Sequence, residues 1–163
     1  INIGLNEVHS EYFMLLHAGD RICNVKNLLK SLLLLTQDVD CVLGGAVIGK
    51  RKHVSLLWRP WMLKFYVQPP HLPILYRTSS TEGLRYDHNI ETTADFYYLK
   101  EFFLKYCSKY VHSKLTYVEM SQGGLTTSGL SSVVHVTQRF TKVEGIKPLL
   151  YSPLRILLKI IIQ

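Results

Sequence analysis

The sequence predicts an α/β fold in which helices pack against a sheet. Three observations support this class: an apolar run at residues 11–16 ends in a turn, apolar positions recur at helical spacing through residues 25–33, and strand-like runs follow at residues 40–58. Strand, turn and helix in succession are the unit from which α/β folds are built. With 163 residues, of which 47% are hydrophobic and 19% charged, the chain can bury one core of ordinary size.

The first predicted unit is a buried strand followed by a helix. Residues 11–16 are densely apolar and contain two aromatic rings, which is typical of a buried parallel strand, and the turn Ala18-Gly19-Asp20 ends it. Asn24 can cap a helix that continues to about residue 35. The apolar positions of this helix share one face and are Val25, Leu28, Leu29, Leu32 and Leu33.

Two further strands are predicted at residues 40–48 and 53–58, joined as a hairpin by the basic turn at residues 49–52. The run GGAVIGKR at residues 44–51 resembles a phosphate-binding loop. However, Arg51 stands where a hydroxyl should bind Mg²⁺, and strand-like residues follow where a helix should begin. The pattern therefore disfavours a phosphate-binding loop.

A second helix is predicted at residues 94–106, after a proline-rich segment at residues 59–73 that cannot be regular throughout. Thr92 and Thr93 are its candidate N-caps, and one apolar stripe is formed by Phe96, Leu99, Phe103 and Tyr106. A strand at residues 114–119 and a turn-rich loop at residues 121–132 follow. From residue 147 the pattern predicts an amphipathic helix.

The composition excludes several classes of protein. The three cysteines form no zinc or disulfide pattern, which favours a reducing compartment, and the scattered histidines predict no metal cluster. No apolar run reaches the roughly 18 to 20 residues of a spanning helix. The net charge of +7 predicts an anionic partner. Nucleic acid is disfavoured, because the basic residues are dispersed and the aromatic residues fall on predicted core faces.

Two carboxylates lie where a functional group is expected. Asp20 falls at the carboxyl end of a predicted strand, where α/β sheets form ligand crevices, although a simple turn or a helix cap is the alternative. Asp95 falls in the first turn of a predicted helix, whose dipole favours the ionised carboxylate that a general base requires. For Asp95 too, a simple helix cap is the alternative.

Two motifs resemble family 2 glycosyltransferases. The run INIGLNEVHSEYFMLLHAGDRI is similar to a stretch of that family that reads roughly MNxGI, then GEY, then a strand, then an LNAGDRL-like turn. The run TTADFYYLKEFF at residues 92–103 resembles the family's AADYDFFLRL-like helix start. The matching positions of the first motif are Asn2, Gly4, Glu11, Tyr12, Ala18, Gly19 and Asp20. The resemblance implies a partial GT-A, Rossmann-like fold: three α/β/α layers with a mixed sheet.

The resemblance also implies roles for these two carboxylates. Asp20 matches the second acidic position of the family's metal motif, with His17 and Ala18 ahead of it, and implies a bound Mg²⁺ or Mn²⁺ shared with the donor's phosphates. Asp95 matches the general base of inverting members. The implied reaction moves a sugar from a nucleotide-sugar donor to a glycan or lipid-linked acceptor, with inversion.

Further substrate contacts are implied by weaker matches. His71 follows two prolines as in the family's PHQ-like motif, and the next strand ends at Arg77. Gly123 and Gly124 resemble a GGxS loop whose backbone can approach a phosphate. For His71 the alternative is a solvated or core histidine, and for the two glycines it is a surface turn. Gly83 and Asp87 resemble a GxFDE segment, although a simple turn is favoured there.

The resemblance divides the chain into a metal- and acceptor-side portion, residues 1–130, and a helical extension, residues 131–163. This extension is either the last core helix or a membrane-interfacial helix with Arg155 and Lys159 at the lipid headgroups. Because the family's nucleotide-binding half precedes the first motif and the chain opens at Ile1, we expect a fragment that is impaired alone. A complementing chain or a homo-oligomer is a further expectation.

The predicted location is cytoplasmic, with the inner face of the membrane as a peripheral alternative and anionic lipid as a partner. Two competing functions are left open by the sequence. The first is a non-catalytic module that keeps the fold and binds a partner or a membrane surface. The second, weaker one is a nucleic-acid-binding α/β domain, for which binding to unrelated sequences should depend steeply on salt.

Overall fold

The computed structural model describes residues 1–49, 51–54, 56–90, 93–121 and 129–162. The helices are α1 (Asn2–Asn6), α2 (Val25–Leu32), α3 (Ala94–Glu101), α4 (Gly129–Glu144), α5 (Lys147–Leu150) and α6 (Ser152–Ile162). The strands are β1 (Tyr12–Met14), β2 (Arg21–Ile22), β3 (Cys41–Ile48), β4 (Arg51–Val54), β5 (Ile74–Arg77) and β6 (Tyr110–Met120). Two 3₁₀ helices, Pro60–Phe65 and Thr78–Thr81, and a π-helix, Phe102–Tyr106, complete the described elements.

The described strands form one mixed sheet with β3 at its centre. Five strands lie in the order β1, β5, β3, β6, β2, and β4 pairs with the second half of β3. The pair β3 and β6 is parallel, and every other described pair is antiparallel. Since β1 and β3 are both antiparallel to β5, the strands β1, β3 and β6 run in the same direction. Their carboxyl ends therefore meet at one end of the sheet, which we call the carboxyl end.

Helices cover both faces of this sheet. Cys41 and Leu43 of β3 point into a core shared with α3, α4 and α6. Val42, between them, points to the opposite face and packs with residues of α2 and the loop after it. This alternation follows from the two-residue period of a strand. The predicted three-layer α/β/α class with a mixed sheet is confirmed.

Several predicted elements match the structure closely. The side chain of Asn24 accepts a 2.9 Å hydrogen bond from the Asn27 N–H and caps α2. The predicted helix at residues 94–106 is present as α3 continued by the π-helix. Its predicted cap differs, because Thr93 has a left-handed backbone with φ of 70° and makes no side-chain capping bond. Thr92 lies outside the described residues.

Other elements differ from prediction, and for the strands the reason is that pairing overrides local sequence preference. The run at residues 11–16 is strand only over β1, a half-buried strand that pairs antiparallel with β5. Arg51 and Lys52, predicted in the hairpin turn, pair with β3 as part of β4. Parallel pairing with β3 extends β6 to 11 residues. The predicted loop at residues 121–132 is helical from Gly129, where α4 begins.

Gly44 lies inside the strand β3. The run at residues 44–51 therefore does not form a phosphate-binding loop, in agreement with the prediction. A Cβ atom at this position would lie 2.3 Å from the hydroxyl oxygen of Tyr117. That hydroxyl donates a 2.7 Å hydrogen bond to the carbonyl of Pro73, which also accepts the Gly44 N–H at 2.8 Å. The glycine therefore makes room for a buried ring in the sheet.

The C-terminal helices pack into the same core as α3. The ring centroids of Phe140 and Phe96 are 4.7 Å apart, and the Nζ atom of Lys100 lies 2.9 Å from a carboxylate oxygen of Glu144. Arg155 is 3% exposed and donates a 2.9 Å hydrogen bond to Thr137. The expectation that Arg155 reaches lipid headgroups is therefore corrected, because its guanidinium points into the protein. Within the described residues, no helix is both long and apolar enough to cross a membrane.

Candidate active site at the carboxyl end of the sheet

The loop after β1 carries His17 and Asp20. Gly19 has φ of 89°, a left-handed conformation that favours glycine, and it allows the chain to turn so that the Asp20 N–H donates to the His17 carbonyl at 3.1 Å. One Asp20 carboxylate oxygen accepts the His17 N–H at 3.3 Å, and the other accepts the Ser121 N–H at 2.8 Å. Asp20 thus joins the loop after β1 to the end of β6.

Strand pairing brings His71 to this loop. Met14 of β1 lies opposite Leu75 of β5, and the strands are antiparallel, so residues that follow β1 lie near residues that precede β5. The Nε2 atoms of His17 and His71 are 3.2 Å apart. Their rings meet edge to face at a centroid distance of 5.0 Å. The side chains of two histidines that are distant in sequence are therefore in contact at the carboxyl end of the sheet.

Asp95, in the first turn of α3, completes the group. Its Oδ2 atom lies 3.5 Å from the Nε2 of His71. The side chain of Asp95 is 28% exposed and that of His71 is 16% exposed. His17, His71 and Asp95 each offer one ligand atom, and these atoms all lie within 4.8 Å of one another. We call these three residues the His-His-Asp cluster. The histidines look scattered along the sequence, but strand pairing, which spacing along the chain does not reveal, brings two of them together beside Asp95.

Burial shifts the pKa values of His71 in this cluster and of Tyr86 beside it. Desolvation lowers the pKa of His71 below its ordinary value of 6.5, while the Asp95 carboxylate raises it and His17 lowers it further. His71 is therefore predominantly neutral at neutral pH. Burial also raises the pKa of Tyr86, and the negative charge of Asp95 raises it further. Tyr86 thus remains protonated beside that carboxylate.

Sequence reasoning did not identify His17 or Tyr86 as site residues. The only signal for His17 was its place in the motif that carries Asp20. Asn2, one of the matched motif positions, holds Tyr86 in place: its side-chain oxygen accepts the Tyr86 N–H at 2.8 Å, and its amide nitrogen donates to the Tyr86 carbonyl at 2.8 Å. Asn2 therefore anchors α1 beside the cluster.

The structure does not bring Arg77 to this group. Arg77 ends β5, so it lies at the opposite end of that strand from His71. Its guanidinium donates to Glu11 at 3.0 Å and to the backbone carbonyls of Thr36 and Val39, and it lies 5.1 Å from the ring centroid of Tyr12. These contacts tie β1 to the loop after α2. Gly123 and Gly124 lie outside the described residues.

Two groups of side chains could therefore hold a cation. Asp20 is a single carboxylate whose oxygens each accept one backbone N–H; carboxylate oxygens have further lone pairs, so a hard cation can still bind there together with substrate phosphates. The His-His-Asp cluster instead offers two ring nitrogens and one carboxylate oxygen, a set that suits transition metals.

No protein-family model and no curated protein matches the sequence. The fold is similar to solved structures of S. aureus TarS, a glycosyltransferase. With TarS 1–349 bound to UDP, the identity is 14% and the TM-score 0.57, over 86% of this chain and 44% of that one. With its UDP-GlcNAc complex, the identity is 13% and the TM-score 0.58, over 86% and 45%. With a further crystal structure of S. aureus TarS, the identity is 13% and the TM-score 0.57, over 89% of this chain and 30% of the TarS chain.

The mixed α/β fold of the chain matches part of the fold of these structures. At these identities the likeness concerns the fold alone. The chain spans less than half of the length of the TarS chains it matches.

Proposed function

We propose that this chain forms the metal- and acceptor-side part of a glycosyltransferase that uses a nucleotide-sugar donor and inverts the anomeric carbon. The observation that carries the proposal is the position of Asp95. Its carboxylate lies in the first turn of α3, beside His71 and the loop of Asp20, at the end of the sheet where α/β folds bind ligands. UDP and UDP-GlcNAc, which are bound in the TarS structures, suggest the class of donor.

In the proposed reaction Asp95 is the general base. It accepts the proton of an acceptor hydroxyl as that oxygen forms a bond to the anomeric carbon. The bond from the anomeric carbon to the diphosphate breaks on the opposite face, and the diphosphate leaves with the electron pair. One displacement inverts the configuration, so no covalent enzyme intermediate is required.

The remaining residues bind and orient the substrates in this proposal. His71, neutral at neutral pH, can donate one hydrogen bond to the acceptor or to the diphosphate. Asp20, with the donor's phosphates, is the proposed holder of Mg²⁺ or Mn²⁺, which neutralises charge on the diphosphate when bound. Arg77 is not included, because its guanidinium is engaged at the other end of β5.

The test is release of nucleoside diphosphate from a panel of UDP-sugars by the whole protein that contains this chain, with glycan and lipid-linked acceptors. Asp95→Asn should lower turnover by about 100-fold to 10,000-fold, because it removes the base. Asp87→Asn is the matched control, since Asp87 is exposed and its carboxylate contacts Asn89. Equal turnover in wild type and Asp95→Asn contradicts the assignment, and no turnover with any donor contradicts the enzyme function.

A second candidate function is that of a module acting at a membrane surface, with or without catalysis. The observation that favours it is a group of exposed apolar side chains at the start of α5, within α5 and in α6: Ile146, Leu149, Leu150 and Leu157 are each more than half exposed. Lys147 lies between them and suits an anionic surface. Leu150→Ser should then weaken sedimentation with anionic vesicles more than Leu33→Ser, since Leu33, directly after α2, is also exposed. Equal sedimentation of the two variants contradicts this function.

A further inference from the structure

The His-His-Asp cluster has the composition and spacing of a metal site. Its members come from three separate segments: His17 lies in the loop after β1, His71 in the segment before β5, and Asp95 in the first turn of α3. The pairing of β1 with β5 brings the two histidine segments together. The site is therefore assembled by the tertiary fold from segments that are distant in sequence.

Two distances within the cluster, those from His71 to its two neighbours, are close to those between ligands of one cation. Zinc binds histidine nitrogen at about 2.0–2.1 Å, so neighbouring ligand atoms of a tetrahedral site are about 3.3–3.5 Å apart. The two Nε2 atoms are 3.2 Å apart, and the Asp95 oxygen lies 3.5 Å from His71. Two ring nitrogens can approach this closely when one donates a proton to the other, or when both lone pairs face a shared cation.

We propose that His17 and His71, through Nε2, and Asp95, through Oδ2, bind a transition-metal cation, with Zn²⁺ as the expected ion. The cluster contains two imidazoles, which favour zinc over magnesium, because magnesium prefers oxygen ligands. Three protein ligands leave a fourth position open to water or substrate. This proposal goes beyond the proposed function and concerns ligands other than Asp20.

The surroundings of the cluster fit this role. The edge-to-face arrangement of the two histidine rings leaves their Nε2 atoms facing each other, so both can point to one cation. The side chains of His71 and Asp95 are 16% and 28% exposed, so a hydrated ion can reach them. Asp20 accepts the backbone N–H of His17 and adds a negative charge close to His71.

The experiment uses Co²⁺ as a visible-absorbing probe and Zn²⁺ as its competitor, with the whole chain and without any nucleotide sugar. The proposal expects one Co²⁺ per chain, displaced by one equivalent of Zn²⁺ and not by a large excess of Mg²⁺. His17→Ala and Asp95→Asn should each lower the affinity for Co²⁺ by more than about 10-fold. Loss of a residue that only supports a metal ligand already costs about 10-fold, and loss of a ligand itself should cost more. His9→Ala is the matched control, because His9 is exposed and lies outside the cluster.

Two results overturn the proposal: no saturable metal binding by the wild type, or the same affinity in His17→Ala, Asp95→Asn and the wild type. Either result makes the cluster a hydrogen-bonded histidine pair only. Because a variant can lose its fold, X-ray absorption of the wild-type zinc complex is a second measurement. It should show two imidazoles and oxygen in the first shell, and a shell with sulfur or without imidazole contradicts the site. Failure of the transferase assay leaves these results unaffected.

Discussion

The carboxylate of Asp20 accepts a 2.8 Å hydrogen bond from the backbone N–H of Ser121, 101 residues further along the chain. Its second oxygen accepts the His17 N–H at 3.3 Å. One side chain therefore holds the loop that carries His17 against the end of the parallel strand β6. The position of the His-His-Asp cluster depends on this link.

Asp20→Ala is expected to lower the free energy of unfolding by about 1 to 2 kcal/mol, because two backbone donors lose a charged acceptor. Asp20→Asn keeps one carbonyl oxygen and should have the smaller effect. Urea denaturation of both variants measures the difference. An unchanged midpoint in Asp20→Ala would show that the link does not stabilise the fold.

Gly44→Ala is expected to destabilise the chain by about 1 to 3 kcal/mol, since overpacking a core forces neighbouring groups to shift. The new Cβ would lie 2.3 Å from the Tyr117 hydroxyl oxygen and 2.4 Å from the ring carbon that bears it. Gly4→Ala in α1 is the matched control, because nothing lies within 4 Å of its Cβ position. Thermal unfolding of the two variants should separate them clearly, and similar melting temperatures would contradict the packing of Tyr117 against Gly44.

The Glu144 carboxylate should make stability depend on pH. Burial alone would raise its pKa, but hydrogen bonds from Tyr66 and Lys100 lower the pKa below its ordinary value of 4.5. Its contribution is therefore fully present above that ordinary value and is lost as the pH falls through the lower folded-state value. The difference in unfolding free energy between wild type and Glu144→Gln should be largest at neutral pH and shrink in acid. A difference that stays constant down to acid pH would rule out this linkage.

Arg155 is expected to be dispensable for membrane binding. Burial lowers its pKa to about 10, and among the described residues its Nε atom has no hydrogen-bond partner. Since replacing a buried charge by an apolar group of similar size is often neutral or stabilising, Arg155→Met should change stability by less than about 1 kcal/mol. Sedimentation with anionic vesicles should be the same as for the wild type. A marked loss of sedimentation would place the guanidinium at the lipid surface after all.

Zinc is expected to inhibit glycosyl transfer. A cation held by the His-His-Asp cluster engages the carboxylate of Asp95, which the proposed reaction needs as a free base. Nucleoside diphosphate release, measured with Mg²⁺ present, should fall as Zn²⁺ is added and recover when a zinc-selective chelator is supplied. Stimulation by Zn²⁺ would contradict the division of roles between Asp95 and Asp20.

Local sequence signals predicted the elements that depend on local interactions. Asn24 caps α2 as its side chain allows, and the stripe of Phe96, Leu99 and Phe103 is buried where helical spacing predicts. Strand lengths were less predictable, because they depend on the partner strand. β6 reaches 11 residues through pairing with β3, and β1 is limited to three residues at the margin of the sheet.

By itself the sequence determined the α/β class and the position of Asp95 in the first turn of a helix, because helical periodicity is a property of neighbouring residues. Only the tertiary structure decided that His17, His71 and Asp95 meet while Arg77 lies apart. The antiparallel pairing of β1 with β5 brings the residues after one strand beside those before the other, and it sends Arg77 to the far end. Such pairing depends on contacts between distant segments, which spacing along the chain does not specify.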